Sequence, residues 1–215
     1  MRGCVVLGLM LTAATAYAQD NAVPKPEAIG WFVADVRAAF VNFKAPSTVA
    51  DALGVEPLNL PSHGLGIVVG AHVYPLHMGP VTLGLGAELL NSRGTRSQAP
   101  TTEGGQPGPT TETRFSAFSP QASLNFGGKQ GWSYLGGGLG WGTLTTEIQA
   151  KPLAGSAGSV TVLNYGGGAR WFARPHLAVS IDLRFYTVND QAATAQRPAY
   201  PKTRMVVVSA GIGLK

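Results

Sequence analysis

The side chains able to do acid–base, nucleophilic or metal chemistry are few and widely spaced in this sequence of 215 residues. The only cysteine is Cys4, and the four histidines have no spacing typical of a metal site: His63, His72, His77 and His176. No Gly-x-Gly-x-x-Gly loop and no Gly-x-Ser-x-Gly nucleophile elbow occurs. The sequence therefore predicts no catalytic residue, no cofactor and no metal site.

Charged residues follow a simple pattern instead. Three acids and three arginines fall at the polar positions of segments in which every second residue is apolar: Asp35, Arg37, Glu88, Arg170, Asp182 and Arg184. The clearest such segment runs from Leu177 to Tyr186, where the odd-numbered residues are apolar and the even-numbered ones, apart from Ala178, are polar. A period of two predicts a β-strand with one apolar and one polar face.

Eight segments carry this alternation, and all reach the roughly 9 to 11 residues that a membrane-crossing strand needs. They are residues 30–43, 65–75, 81–92, 114–127, 132–144, 160–172, 177–188 and 204–214. Short connections at 76–80, 128–131 and 173–176 alternate with long ones at 44–64, 93–113, 145–159 and 189–203. This order predicts an all-β fold, an eight-stranded antiparallel up-and-down transmembrane β-barrel with short periplasmic turns and long extracellular loops.

The N-terminus predicts export. Arg2, an apolar run from Val5 to Ala14, and Ala16-Tyr17-Ala18 before Gln19 have the form of a cleaved secretory signal peptide. We therefore expect a signal peptide at 1–18, a short periplasmic segment at 19–28 and the barrel at 29–215. The expected location is the bacterial outer membrane.

Aromatic residues support the predicted depth of the strands. One girdle is expected at the long-loop side: Phe40, Phe118, Trp141, Tyr165 and Phe185. The other is expected at the short-turn side: Phe32, Phe126 and Trp171. Such girdles mark the two interfaces of a membrane barrel. Arg93, Arg114 and Arg204 share the lipid-facing phase but lie at or above the upper interface.

The predicted interior is a closed network of paired charges. An eight-stranded barrel is just wide enough to be filled by side chains, and Tyr74, Gln121 and Tyr186 add bulk. Arg184 is expected to pair with Asp35 or Asp182, because an unpaired buried charge is costly. A proton or ion path through the same residues is the alternative interpretation.

Two local motifs complete the prediction. In the first long connection, Thr48-Val-Ala-Asp51 resembles a capping box that opens a short helix through Leu53. Val49, Leu53 and Leu58 would then form an apolar patch on the membrane surface or over the barrel mouth. The glycine runs 136–138 and 166–168 are expected where strands bend or pack against bulky neighbours.

The region 29–215 resembles the small eight-stranded outer-membrane barrel families of the OmpA and OmpX type. The last strand alternates correctly through Val206, Val208, Ala210, Ile212 and Leu214. Such families usually end in an aromatic residue, whereas Lys215 stands last here. The resemblance implies insertion by the barrel-assembly machinery and contact with outer-membrane lipids and lipopolysaccharide.

The function predicted from these features is non-catalytic: a monomeric outer-membrane barrel with a structural or surface-interaction role through its loops. The net charge of +5 is spread along the chain, which argues against nucleic-acid binding. Two alternatives stay open. A lipid-modifying enzyme would need a Ser/His/acid group at one depth, for which only His176 and Ser180 are candidates, and a soluble periplasmic lipid-binding barrel would lack an outer apolar belt.

Overall fold

A computed structural model describes residues 28–44, 46–100, 105–150, 158–194 and 197–215. In these ranges eight antiparallel strands close into one barrel, in which each strand pairs with its neighbours in sequence and the first pairs with the last. The predicted eight-stranded up-and-down fold is confirmed. The predicted signal peptide at 1–18, and residues 19–27 of the segment after it, lie outside the described residues.

The strands are joined by two-residue turns at one end, called here the short-turn end, and by longer connections at the other, the long-connection end. The strands are β1 (Phe32–Asn42), β2 (His63–Met78), β3 (Val81–Ser97), β4 (Thr110–Gly128), β5 (Gly131–Ile148), β6 (Val160–Arg174), β7 (Leu177–Val188) and β8 (Thr203–Leu214). The connection after β1 contains the helix α1 (Ser47–Leu53) and a 3-10 turn at Pro57–Asn59. No helix in the described ranges is long and apolar enough to cross a membrane.

Strands β2 to β5 extend beyond the lengths expected from sequence. The predicted boundaries of β2 at 65 and 75 are wrong, because β2 pairs with β3 out to Met78. Strands β3, β4 and β5 extend at the long-connection end. The boundaries predicted at residues 92, 114 and 144 are wrong, because β3 pairs with β4 out to Ser97 and Thr110, and β4 pairs with β5 out to Ile148. The added residues are largely threonine and other polar types. Threonine favours strands, and ladder hydrogen bonds need no apolar side chain, so pairing continues where the apolar alternation stops.

The two faces of the barrel have inverted polarity. Val36 and Ile181 are half exposed on the outer face, at 50% and 51%, while their neighbours Arg37 and Asp182 are buried inside. Leu135 is 63% exposed, so it faces outward. The glycine-rich β5 thus has the orientation predicted from its few large residues. A water-soluble barrel buries its apolar side chains, whereas a transmembrane barrel presents them to lipid.

Aromatic residues lie on the outer face at two levels. Phe40, Phe118 and Trp141 are exposed toward the long-connection end, and Phe32, Phe126 and Trp171 toward the short-turn end. Phe118 stacks on Trp141, and Tyr165 on Phe185. Trp31, which the sequence interpretation left out, is 76% exposed beside Phe32 and extends the lower girdle.

The interior has three layers, so it is not polar throughout. The layer at the short-turn end is a mainly aromatic cluster of Ile29, Val33, Tyr74, Trp132 and Tyr134. The middle layer contains the six charged residues. The layer at the long-connection end is a larger apolar cluster that includes Val41, Val68, Leu90, Phe115, Leu144, Val162, Tyr186 and Met205. Charges are thus enclosed between two apolar layers.

Candidate functional site: the charged layer and the barrel mouth

The six charged residues named from sequence all lie in the middle of the barrel interior. Their strands are β1, β3, β6 and β7, and each residue is at most 4% exposed: Asp35, Arg37, Glu88, Arg170, Asp182 and Arg184. Strand alternation places them there, since each follows and precedes an outward-facing residue. We call this set the charged layer.

Four members of the charged layer form a closed ring of ion pairs. Arg184 Nε lies 3.2 Å from a Glu88 oxygen and 3.0 Å from Asp182 Oδ1. Arg37 also pairs with Glu88, and its Nη1 lies 3.4 Å from Asp182 Oδ1. The ring therefore ties β1 and β3 to β7 across the interior.

Asp35 and Arg170 extend the ring toward β6. Arg37 Nε donates to Asp35 Oδ1 over 2.9 Å, and Arg170 pairs with the other oxygen of the same carboxylate. Arg170 also donates to the Tyr74 hydroxyl over 2.8 Å, and its guanidinium lies 5.6 Å from the Trp132 ring centroid. Of the two acids expected as partners of Arg184, the structure shows Asp182, because Arg37 and Arg170 hold the Asp35 carboxylate.

Neutral polar side chains complete the charged layer. Arg184 Nη1 donates to Gln121 over 2.6 Å and to Asn164 over 3.1 Å. The Tyr134 hydroxyl donates to Asp182 over 2.8 Å. Sequence reasoning missed Tyr134, because the glycines that follow it hide the face of β5. Two features of the sequence could have indicated that Tyr134 faces inward: it lies two residues from Trp132, and it lies next to the outward-facing Leu135.

The four histidines are dispersed, and only one reaches the charged layer. His72 is buried, with Nε2 at 3.8 Å from Asp35 and 3.7 Å from Glu88. His77 lies near the short-turn end with a ring nitrogen 3.0 Å from the Ile29 carbonyl oxygen, and His63 stacks on Phe40. No group of three or more His, Cys, Asp or Glu side chains in the described ranges is placed to hold a metal ion.

The packing of the charged layer leaves almost no free volume. The cavity beside His72, Tyr74, Gln121 and Tyr134 measures about 10 Å³, which is roughly the space of one water molecule. Every carboxylate in the layer contacts two arginines. This arrangement suits a structural network, because it offers neither an accessible base nor room for a substrate.

The barrel mouth at the long-connection end is covered by α1. Val49 and Ala50 are fully buried, and Leu53 packs against the apolar cluster inside the mouth. Leu58 is 74% exposed, so it does not belong to this contact surface, and Leu60 takes its place. Of the two positions expected for the patch, the structure shows the one over the mouth.

The predicted capping box at Thr48 is wrong, although the helix ends at Leu53 as expected. The residue before the first helical turn is Pro46, and no side chain in the described part of the chain caps the helix. Its C-terminal end is closed by Gly54 in the left-handed conformation, with φ of 66°, where glycine carries no steric cost. Burial of Val49 and Ala50 in the mouth, rather than a cap, holds this short helix.

Tyr200 closes the mouth from the connection between β7 and β8. It forms an isolated antiparallel bridge with Gln191, and its hydroxyl lies 3.1 Å from that of Thr146. Burial raises the pKa of the Tyr200 phenol above its usual value. Two of the four connections at this end of the barrel, those after β1 and β7, therefore contribute side chains that fill its entrance.

A second polar cluster lies outside the barrel wall and was not found from sequence. The Glu112 carboxylate accepts from Arg93 over 2.5 Å and from Gln149 over 2.9 Å, and it also pairs with Arg114. The two arginines are more than half exposed and cover the carboxylate. Because both arginines pair with Glu112, two cations can lie side by side on the outer face of neighbouring strands.

The only serine and histidine considered for catalysis do not form a pair. Ser180 is fully buried, and its hydroxyl makes no hydrogen bond within the described residues. His176 lies in the exposed turn between β6 and β7. The Ser/His/acid group that a lipid-modifying enzyme would need is therefore not assembled at these two residues.

Solved structures of several outer-membrane proteins are similar to this chain. Neisserial surface protein A, NspA, is 16% identical, with 86% of this chain and 96% of that protein covered and a TM-score of 0.48. Ail, the attachment invasion locus protein of Yersinia pestis, solved with the heparin analogue sucrose octasulfate, is 12% identical, with 86% and 96% covered and a TM-score of 0.46.

The outer membrane protease OmpT of Escherichia coli is 11% identical, with 72% of this chain and 64% of that protein covered and a TM-score of 0.42. No protein-family model and no curated protein matches the chain. At these identities and TM-scores, none of the three structures assigns an activity or a ligand to this chain.

Proposed function

We propose that this protein is a non-catalytic, integral outer-membrane barrel whose long connections serve surface interaction. One observation carries the proposal: a closed barrel has an apolar outer face with aromatic girdles around a buried layer of charge. A soluble lipid-binding barrel is disfavoured by the same observation, because it would expose residues such as Val36 and Ile181 to water.

The proposed orientation follows from the two unlike ends. Outer-membrane barrels place short turns in the periplasm and longer loops outside. The short-turn end, with β1 beginning and β8 ending there, would then face the periplasm. The mouth covered by α1 and Tyr200 would face the surroundings, where the connections meet surface partners.

Lipids and lipopolysaccharide are the proposed partners of the outer face, and the barrel-assembly machinery is the proposed partner during insertion. The protein is proposed to act as a monomer, since an eight-stranded barrel closes all its strand edges by itself. The filled interior supports a non-catalytic role, because the charged layer offers no room for a substrate.

Heat-modifiable migration tests the barrel in the membrane. A closed barrel satisfies its backbone hydrogen bonds internally and resists detergent until it is heated. We expect unboiled protein from the outer-membrane fraction to migrate differently from boiled protein. Identical migration, or recovery of the protein from the soluble periplasmic fraction, would contradict the proposal.

The proposed signal peptide has its own test. We expect protein purified from the outer membrane to begin at Gln19, as shown by its N-terminal sequence and by the intact mass of the chain without residues 1–18. A mature chain that retains residues 1–18 would show that the segment is not cleaved. This result would leave the barrel assignment unaffected, since the strands begin at Phe32.

A further inference from the structure

A groove of about 720 Å³ crosses the outer face of the barrel from β3 to β7. The groove is shallow and open along the outer face, so a ligand in it would keep one side toward its surroundings. Almost all of its surface is apolar, and its main lining residues are Leu83, Ala122, Leu124, Leu135, Leu183 and Phe185. It lies between the two aromatic girdles.

The groove exists because small residues face outward between large ones. Ala122 and Gly167 form its floor, whereas Leu135 and Leu183, the register partners of Gly167, stand beside it. A Cβ atom on Gly167 would lie 2.5 Å from the Tyr134 carbonyl oxygen and 2.8 Å from the Leu135 side chain. A side chain at position 167 would therefore clash with Tyr134 and Leu135, and glycine leaves the floor of the groove open.

A cation, Arg204, lies at the long-connection end of the groove. The Arg204 guanidinium is 5.6 Å from the Tyr165 ring centroid and 5.9 Å from that of Phe185, and both rings line the groove. Arg204 is exposed. Within the described ranges no carboxylate pairs with Arg204, in contrast to Arg93 and Arg114, which share Glu112.

The geometry points to a binding site for a membrane lipid whose headgroup is a net negatively charged phosphate, with an acyl chain in the groove and the phosphate on Arg204. Guanidinium groups bind phosphate through paired, charge-assisted hydrogen bonds. Tyr165 and Phe185 hold the guanidinium at the level of the upper girdle, where a headgroup meets the hydrocarbon region. The inference rests on the membrane insertion proposed above.

Native mass spectrometry of the protein released from nanodiscs tests this site. The nanodiscs contain dimyristoylphosphatidic acid and dimyristoylphosphatidylcholine in equal amounts, and the readout is which lipid the barrel retains. We expect preferential retention of phosphatidic acid. Arg204→Gln should reduce that preference about fivefold, the contribution of one arginine at a lipid surface. Ala122→Leu should reduce retention of both lipids by filling the floor.

Two matched variants serve as controls. Arg96→Gln removes an exposed arginine on β3, and Ala38→Leu enlarges an exposed alanine on the outer face of β1. Neither residue lines the groove, so both variants should retain lipid as the parent does. Heat-modifiable migration of every variant shows that the barrel itself is intact.

Three results would overturn the lipid site. An unchanged preference in Arg204→Gln would show that this residue does not hold the phosphate. Unchanged retention in Ala122→Leu would show that no acyl chain occupies the groove. Displacement of phosphatidic acid by inorganic phosphate alone would show an ion site without a chain. Loss of heat-modifiable migration in the parent protein would instead contradict the proposed membrane barrel.

Discussion

Each carboxylate of the charged layer contacts two arginines. Asp35 is held by Arg37 and Arg170, and Glu88 and Asp182 are both held by Arg37 and Arg184. This pattern has a physical reason, because a buried ion without a partner costs several kcal/mol. The arginines are unequal, since Arg37 contacts three carboxylates and Arg170 contacts one.

Arg184→Ala is expected to destabilise the barrel by about 3 to 5 kcal/mol, because Glu88 and Asp182 each lose one of their two cations in a buried layer. Urea unfolding of the protein in detergent micelles measures the change. The control is Arg96→Ala, an exposed arginine of β3, for which we expect a change within about 0.5 kcal/mol. Equal stability of the two variants would mean that the ring does not contribute to the fold.

Adding a charge to the outer face should destabilise the barrel, as removing a charge from the interior does. Ile181→Arg places a cation among lipid chains near mid-strand, and we expect it to block insertion or to cost about 2 to 4 kcal/mol. Gln106→Arg, in the exposed connection after β3, is the control and should insert normally. Folding into vesicles, followed by heat-modifiable migration, measures the difference. Equal insertion of both variants would show that the outer face of β7 does not meet lipid.

At the scale of the elements, glycines let β5 and β6 lie against large neighbours. Gly168 faces Tyr134 in the register of the two strands, and a Cβ atom there would lie 2.8 Å from the Tyr134 hydroxyl and 2.4 Å from the Ile181 carbonyl oxygen. The Tyr134 ring thereby reaches Asp182 across the glycine. The glycine run 166–168 was expected to pack against bulky neighbours, and Gly168 does so against Tyr134.

Gly168→Ala should therefore destabilise the barrel by about 1 to 3 kcal/mol, the usual cost of overpacking a well-packed interior. Gly158→Ala is the matched control, because a Cβ atom at Gly158 has no heavy atom of the described residues within 4 Å. Urea unfolding of both variants measures the effect. A Gly168→Ala barrel as stable as the Gly158→Ala barrel would mean that Tyr134 moves aside without loss.

At the scale of the whole molecule, the three interior layers and the covered mouth form a continuous plug. The aromatic layer closes the short-turn end, the charged layer fills the centre, and the apolar layer under α1 and Tyr200 closes the other end. Eight strands enclose only enough space for side chains. The described residues thus leave water and ions no wide path along the barrel axis.

The purified protein in planar bilayers should accordingly show no large, steady conductance. The same preparation, reconstituted in vesicles, is checked for heat-modifiable migration, so that absence of current is not confused with absence of folded protein. A large and stable current from the parent protein would contradict the closed interior. It would favour the alternative interpretation of the polar residues as an ion path.

Alternation along the sequence is enough to predict which side of most strands faces outward. Alternation of apolar and polar residues has a period of two in any strand, so the inward positions of Asp35, Glu88 and Arg184 follow from local pattern alone. It also predicted that charges of opposite sign would be enclosed together. Local pattern was weakest in β5, where glycines carry no side chain to mark a face.

Which of these residues contact one another could not be predicted from the sequence. Partners such as Arg37 and Asp182 lie on β1 and β7, and their contact depends on barrel closure and strand register, which no local pattern contains. The same holds for α1, whose place over the mouth depends on the apolar layer beneath it, and for the groove, which forms where small residues of neighbouring strands come side by side. Sequence periodicity assigns faces, whereas closure and register bring the faces of distant strands into contact.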